Sequence, residues 1–169
     1  MNVLHSSATN EWYTPRWLTE MARDAMGKID LDPASCPEAN LRIEATYIHC
    51  EEDDGLSTNW FGNVWLNPPF GRKTGLWVDK LCREYRHGDV EQACLLVNAV
   101  PDRLWFRGLW GQPICFLYKR VRFWQPGGKK NQPTHPNVIV YFGSNSRKFF
   151  YTFKKAGHMV MPQGDYYES

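Results

Sequence analysis

The stretch with the most chemistry in it is NVWLNPPFGR, residues 63–72. Three apolar residues, Val64, Trp65 and Leu66, read as a buried strand that stops at Asn67-Pro68-Pro69-Phe70. Neither proline has an N–H to give, so strand pairing ends there. An amide, a free carbonyl and a ring are left together at a strand end. Such a group suits a turn, and it also suits the activation of a poor nucleophile. The exocyclic amine of a heterocycle is unreactive because its lone pair is delocalised into the ring. An Asn67 side-chain oxygen and the Pro68 carbonyl, each accepting one N–H, would pull that lone pair out of conjugation and aim it at a methyl donor. Phe70 would offer a face for the base. This is positioning and preorganised hydrogen bonding, with no general base of matched pKa.

Two more polar groups fall at or beyond strand ends, Asp32 after KIDL and Asp54 after TYIHC. The surrounding pattern alternates helices and strands, which predicts an α/β sheet, mostly parallel. TPRWLTEMARDAMG reads as a helix with Thr14 as cap, Pro15 in the first position and Gly27 at the exit. KIDLDPA reads as a short strand; residues 35–46 leave helix and loop open; TYIHC reads as a second strand and NVWLN as a third. TGLWVDKLCREYRHG predicts an amphipathic helix with Leu76, Trp77, Leu81, Cys82 and Tyr85 on one stripe and Gly88 at its end. QACLLVNA and PICFLY are apolar enough for buried strands, with a helix at DRLWFRGLW between them that Asp102 could cap. Residues 124–136 predict a turn-rich loop, and NVIVYFG and KFFYTF around SNSR predict a terminal antiparallel hairpin. In such sheets ligands sit beyond the carboxyl ends of the strands.

The length of 169 residues, with 43% hydrophobic content, fits one domain spanning residues 1–169, with a loose segment at 1–13. Nothing in the chain approaches a membrane span, and the first residues lack the layout of a signal peptide, so a cytoplasmic protein without a membrane partner is expected. Five widely spaced cysteines form no C-x-x-C pair and the five histidines no ligand spacing, so no metal is expected. The net charge of +2 is unevenly spread. Residues 1–99 hold nine Lys and Arg against fifteen Asp and Glu, and residues 100–169 hold eleven against three. A basic second half with interleaved aromatics predicts a nucleic-acid partner, and a solvated basic surface is the plain alternative. Arg103 and Arg107 share a face if their segment is an α-helix. GGKKNQPT lacks the spacing of a phosphate loop and reads as a basic loop.

Four stretches in order, EWYTPRWL, DLDPAS, DDGLSTNW and VWLNPPF, resemble the phage-type Dam-like DNA N6-adenine methyltransferases, over most of the chain from about Glu11 to the NVIVYFG strand. Asn-Pro-Pro-aromatic by itself is shared with RNA-adenine and protein-glutamine methyltransferases. The resemblance implies a Rossmann-like methyltransferase fold, S-adenosylmethionine as methyl donor, and double-stranded DNA as partner. It implies catalytic roles for Asn67, Pro68, Pro69 and Phe70. It implies that Trp12, Tyr13, Thr14 and Pro15 line the donor, that Asp32, Pro33 and Ala34 lie near its methionine moiety, and that Asp54 and Gly55 lie near its adenosine, with Asn67 beside it. The usual glycine-rich G-x-G loop is missing, and LDPAS holds its place. DNA contacts are expected from Arg72, Lys73, Lys119, Arg120, Arg122, Lys129 and Lys130, with residues 124–136 as the recognition loop. A chain this short leaves no room for a large recognition domain, so a short or relaxed target sequence follows. GATC is suggested by the family label alone. Roles in phage protection or in restriction–modification both fit. Methylation of RNA adenine or of protein glutamine, and DNA binding without catalysis, are the alternatives.

Overall fold

The apolar periods fold into one seven-stranded sheet with helices on both faces. The computed structural model describes residues 13–124, 130–131 (backbone only) and 134–163. The expectations for residues 1–12, including Trp12, for Lys129, for the Lys130 side chain and for much of the 124–136 loop lie outside the described residues. In chain order the elements are α1 (Arg16–Met26), β1 (Leu31–Asp32), α2 (Pro37–Ile43), β2 (Tyr47–Ile48), β3 (Gly62–Leu66), α3 (Thr74–His87), β4 (Val90–Asn98), β5 (Ile114–Leu117), β6 (Phe123–Trp124), β7 (Lys130–Asn131), β8 (Asn137–Phe142), α4 (Ser146–Phe153) and β9 (Gly157–Val160). Short 3-10 turns occupy Glu51–Asp53 and Leu104–Leu109. No described helix is long and apolar enough to cross a membrane.

The sheet order is β2-β1-β3-β4-β8-β5-β9. β2, β1, β3 and β4 run parallel, whereas β8, β5 and β9 each lie antiparallel to the strand before them in that order. The expectation of a mostly parallel sheet therefore holds for one half only. Strand alternation sends Trp65, Cys94, Leu96 and Ile139 to the face covered by α1 and α4, and Val64, Leu66, Leu95 and Val97 to the face covered by α3 and the 104–109 turn. Burial on both faces explains why these strands read as continuous apolar runs.

Five local expectations are corrected. The terminal hairpin is absent; KFFYTF belongs to α4 instead. Asn145 accepts the Lys148 N–H and caps the helix, and Phe149 and Phe153, one turn apart, bury while Tyr151 faces out. Thr14 does not cap α1, since Pro15 holds the cap position and no side chain bonds there. Asp102 does not cap the next helix, which is a 3-10 turn preceded by Arg103. With three residues per turn, Arg103 and Arg107 no longer share a face. In α3, Trp77, Val78 and Leu81 face the sheet while Leu76 is exposed, because Thr74 is tied back to the Pro69 carbonyl and sets the helix's rotation.

Candidate active site

β3 delivers its terminal residues to the carboxyl edge of the parallel half, beside the end of β1. Pro68 is buried there, and Pro69 and Phe70 are exposed. The turn after them is braced. Thr74 Oγ1 donates to the Pro69 carbonyl at 3.0 Å and accepts the Gly71 N–H at 3.2 Å. Gly71 has φ +135, a conformation that side chains rarely adopt, so a glycine after Phe70 lets the chain reverse into α3. The brace engages the Pro69 carbonyl, one residue beyond the carbonyl expected to accept the amine.

Asn67 is half-buried, and its Nδ2 donates to Thr14 Oγ1 at 3.3 Å. Thr14, 2% exposed, thus orients the amide rather than capping the helix. Its neighbour Tyr13 pairs with Trp124 through two backbone hydrogen bonds of 2.8 and 3.0 Å, and their rings meet at 5.5 Å. The Tyr13 hydroxyl accepts the Cys36 thiol at 3.4 Å, which ties the segment to the turn after β1. Phe70 sets its ring edgewise to Phe123 at 5.5 Å. Within the expected 124–136 loop, Trp124 and Lys130–Asn131 instead belong to a two-stranded ribbon of β6 and β7, which Phe123 brings against Phe70.

Asp32 ends β1 and is 1% exposed. Its Oδ1 accepts the Ala34 N–H at 3.0 Å, and burial pushes its carboxyl up to about 7 against the bonds from Ala34 and Ser35. Pro33 is buried and Ala34 half-buried. Asp54 is exposed, with φ +48, at the end of the 51–53 turn. Gly55 is buried so tightly on the Pro33 carbonyl that a Cβ there would overlap it and crowd the Trp77 ring. Its own carbonyl accepts Trp60 Nε1 at 2.8 Å. The DPAS and DDG stretches are thus locked together by this packing.

Lys119, Arg120 and Arg122 are exposed beyond β5, at the same sheet edge. Arg72 and Lys73 are exposed before α3, where Arg72 borders a groove between α3 and the 104–109 turn. Pro15 lines a separate cavity of about 430 Å³ with Arg16, Arg42, Arg122, Phe123 and Trp124. Sequence reasoning missed Thr14 as the residue that orients Asn67, and also Arg16 and Arg42. The alternation of cationic and apolar residues in RVRFW signals the β6 ribbon.

A mixed α/β sheet with an asparagine-proline-proline-aromatic turn at its carboxyl edge is consistent with a methyltransferase-like fold. The family model described as DNA N-6-adenine-methyltransferase (Dam) matches residues 2–158, so the chain belongs to that family. Membership implies, in general terms, methylation of N6 of adenine in DNA. No curated protein gives a significant match to the chain.

Proposed function

We propose that the protein moves a methyl group from S-adenosylmethionine to N6 of an adenine swung out of duplex DNA. The observation that carries this reading is the Thr14–Asn67 hydrogen bond at the end of β3, beside the buried Asp32. Thr14 takes the amide by its nitrogen, so the oxygen end is the one to accept an N–H of the target amine. The buried Pro68 offers its carbonyl for the second N–H, on a backbone stiffened by Pro69 and by the Thr74 brace. Phe70, held at one edge by Phe123, keeps a ring face for the base. Displacing the adenine costs a few kcal/mol of unstacking, which stacking on Phe70 and the two hydrogen bonds to Asn67 and Pro68 would offset.

The residues fit the donor chemically. A carboxylate as buried as Asp32 calls for a cationic neighbour, and the donor has a sulfonium and an ammonium group. Asp32, Pro33 and Ala34 would hold its methionine end, Asp54 and Gly55 its adenosine, and Tyr13, Thr14 and Pro15 would close over it. When bound, S-adenosylmethionine supplies an electrophilic methyl group, transferred as the S–C bond breaks and the N–C bond forms. Asn67 and Pro68 hold the amine pyramidal and aligned, and the surplus proton leaves the product nitrogen to solvent. Exposed Arg72, Lys73, Lys119, Arg120 and Arg122 meet phosphates. Residues 1–169 act as one domain on DNA in a bacterial cytoplasm.

The test is mass-spectrometric measurement of N6-methyladenine in DNA incubated with the protein and S-adenosylmethionine. Asn67→Ala should cut the rate by about 10²–10³-fold, as loss of a preorganised donor or acceptor does, with donor affinity by calorimetry nearly unchanged. Equal loss of donor binding and rate would make Asn67 structural. Methylated RNA in place of methylated DNA would overturn the substrate.

A further inference from the structure

The cavity of about 430 Å³ beside the catalytic turn is ringed by three guanidinium groups from separate parts of the chain: Arg16 opens α1, Arg42 lies in the last turn of α2, and Arg122 leads into β6. Three like charges around one space repel each other, and such clustering is stable only when anions or solvent offset it. Carboxylates do little of that here. The nearest ion pair joins Arg16 to Glu44 at 3.8 Å, with both side chains more than half exposed. Among the described residues, no carboxylate stands within salt-bridge distance of Arg42 or Arg122. Arg42 is oriented by a ring instead, with its guanidinium 4.1 Å from the Trp124 centroid. Stacking fixes the plane of the cation and leaves its N–H groups to bond a ligand. The first turn of α1, which adjoins the cavity, contains no acidic residue, so the helix's positive end adds to the same field.

The cavity is also wired to the site. Pro15 on its wall is next in sequence to Thr14, which orients Asn67. Phe123 on its floor touches Phe70, and Trp124 pairs with the Tyr13 backbone. At this volume it exceeds a bare phosphate and falls in the range of small-ligand sites, about 300–1,000 Å³. We infer that Arg16, Arg42 and Arg122 form a clamp for a backbone phosphodiester of the DNA strand, next to the nucleotide presented to Asn67. This rests on the methyltransferase reading above. The clamp reads no base, so it acts equally on every target sequence and sets the register of the strand.

The test is anisotropy titration of the full chain with a labelled duplex across about 50 to 200 mM salt, where each phosphate contact adds roughly one to the slope of log affinity against log salt. Arg42→Gln and Arg122→Gln should each lower that slope by about one. Affinity should fall several-fold, equally for unrelated sequences, and the KM for DNA in the methylation assay should rise by the same factor. Arg42→Lys should recover the slope, since charge alone sets it. Should Arg42→Gln loosen the β6 ribbon, the exposed Arg122→Gln carries the test. Wild-type slopes in both Gln variants and in the double variant would overturn the clamp. So would lost affinity for adenosine monophosphate with duplex affinity intact, which would assign the cavity to a free nucleotide. If the slopes fall but no N6-methyladenine forms, the catalytic reading fails and the clamp stands. If methylation proceeds with unchanged slopes, the clamp alone fails. A wild-type protein without duplex affinity overturns both.

Discussion

Asn67 depends on a residue 53 positions earlier in the chain, because Thr14 Oγ1 takes its amide nitrogen. Thr14→Val keeps the shape and removes the acceptor, so kcat should fall by about tenfold, on the order of one lost hydrogen bond, with donor affinity changing less. Steady-state kinetics with calorimetry checks this. Asp32 gives a pH dependence with a definite sign. Its carboxyl is raised by burial to about 7, so the folded chain binds a proton that the unfolded chain has released. Asp32's contribution to stability is full below about pH 4 and is lost as pH rises through about 7. Urea unfolding at stepped pH should show this loss in the ligand-free protein, and Asp32→Asn should flatten it. Donor affinity should run the other way, tightening as pH rises through the same range, because the cation favours the ionised form. Asn67, Pro68, Phe70 and Asp32 were readable from the sequence because each stands where a strand must stop. The Thr14 contact was not, since nothing local distinguishes a threonine that caps a helix from one that reaches across to another strand's end.

At the scale of elements, legibility followed the strength of the period. α1, α3, β3 and β4 have unambiguous patterns and form where expected, with only the α1 cap and Leu76 of α3 departing from the reading. The KFFYTF stretch reads as a strand because aromatics favour strands, yet Asn145 starts a helix there and its buried ring pair follows helical spacing. Asn145→Ala should cost about 1 kcal/mol, the usual value of a cap, seen as a lower urea midpoint with unchanged slope. Gly55 joins two elements that sequence alone could place only side by side. Gly55→Ala would push its methyl into the Pro33 carbonyl, so it should cost roughly 1–3 kcal/mol as overpacking does. It should also weaken donor binding, which Asn67→Ala spares; thermal unfolding and calorimetry on both variants separate the two.

For the whole molecule, the sequence shows an acidic first half and a basic second half. Folding redistributes them. Arg16 and Arg42 come from the acidic half and meet Arg122 around one cavity. The partner's sign was legible; its seat was not, because charge along a chain says nothing of which segments converge. Among the described residues one short ribbon stands at the carboxyl edge, which favours contacts to backbone over contacts to many bases. Plasmid methylated by the protein and cut with adenine-sensitive restriction enzymes should be protected at several short sites. Protection confined to one long site would contradict this.

The backbone pairing of Tyr13 with Trp124 joins a segment expected at the methyl donor to a ribbon expected at the nucleic acid. Two ligands that draw on one crosspiece become thermodynamically reciprocal: whatever factor the first adds to the second's affinity, the second must return. Saturation with S-adenosylhomocysteine should therefore change duplex affinity by the same ratio by which duplex changes S-adenosylhomocysteine affinity. A Trp124→Ala variant should bring that ratio towards one.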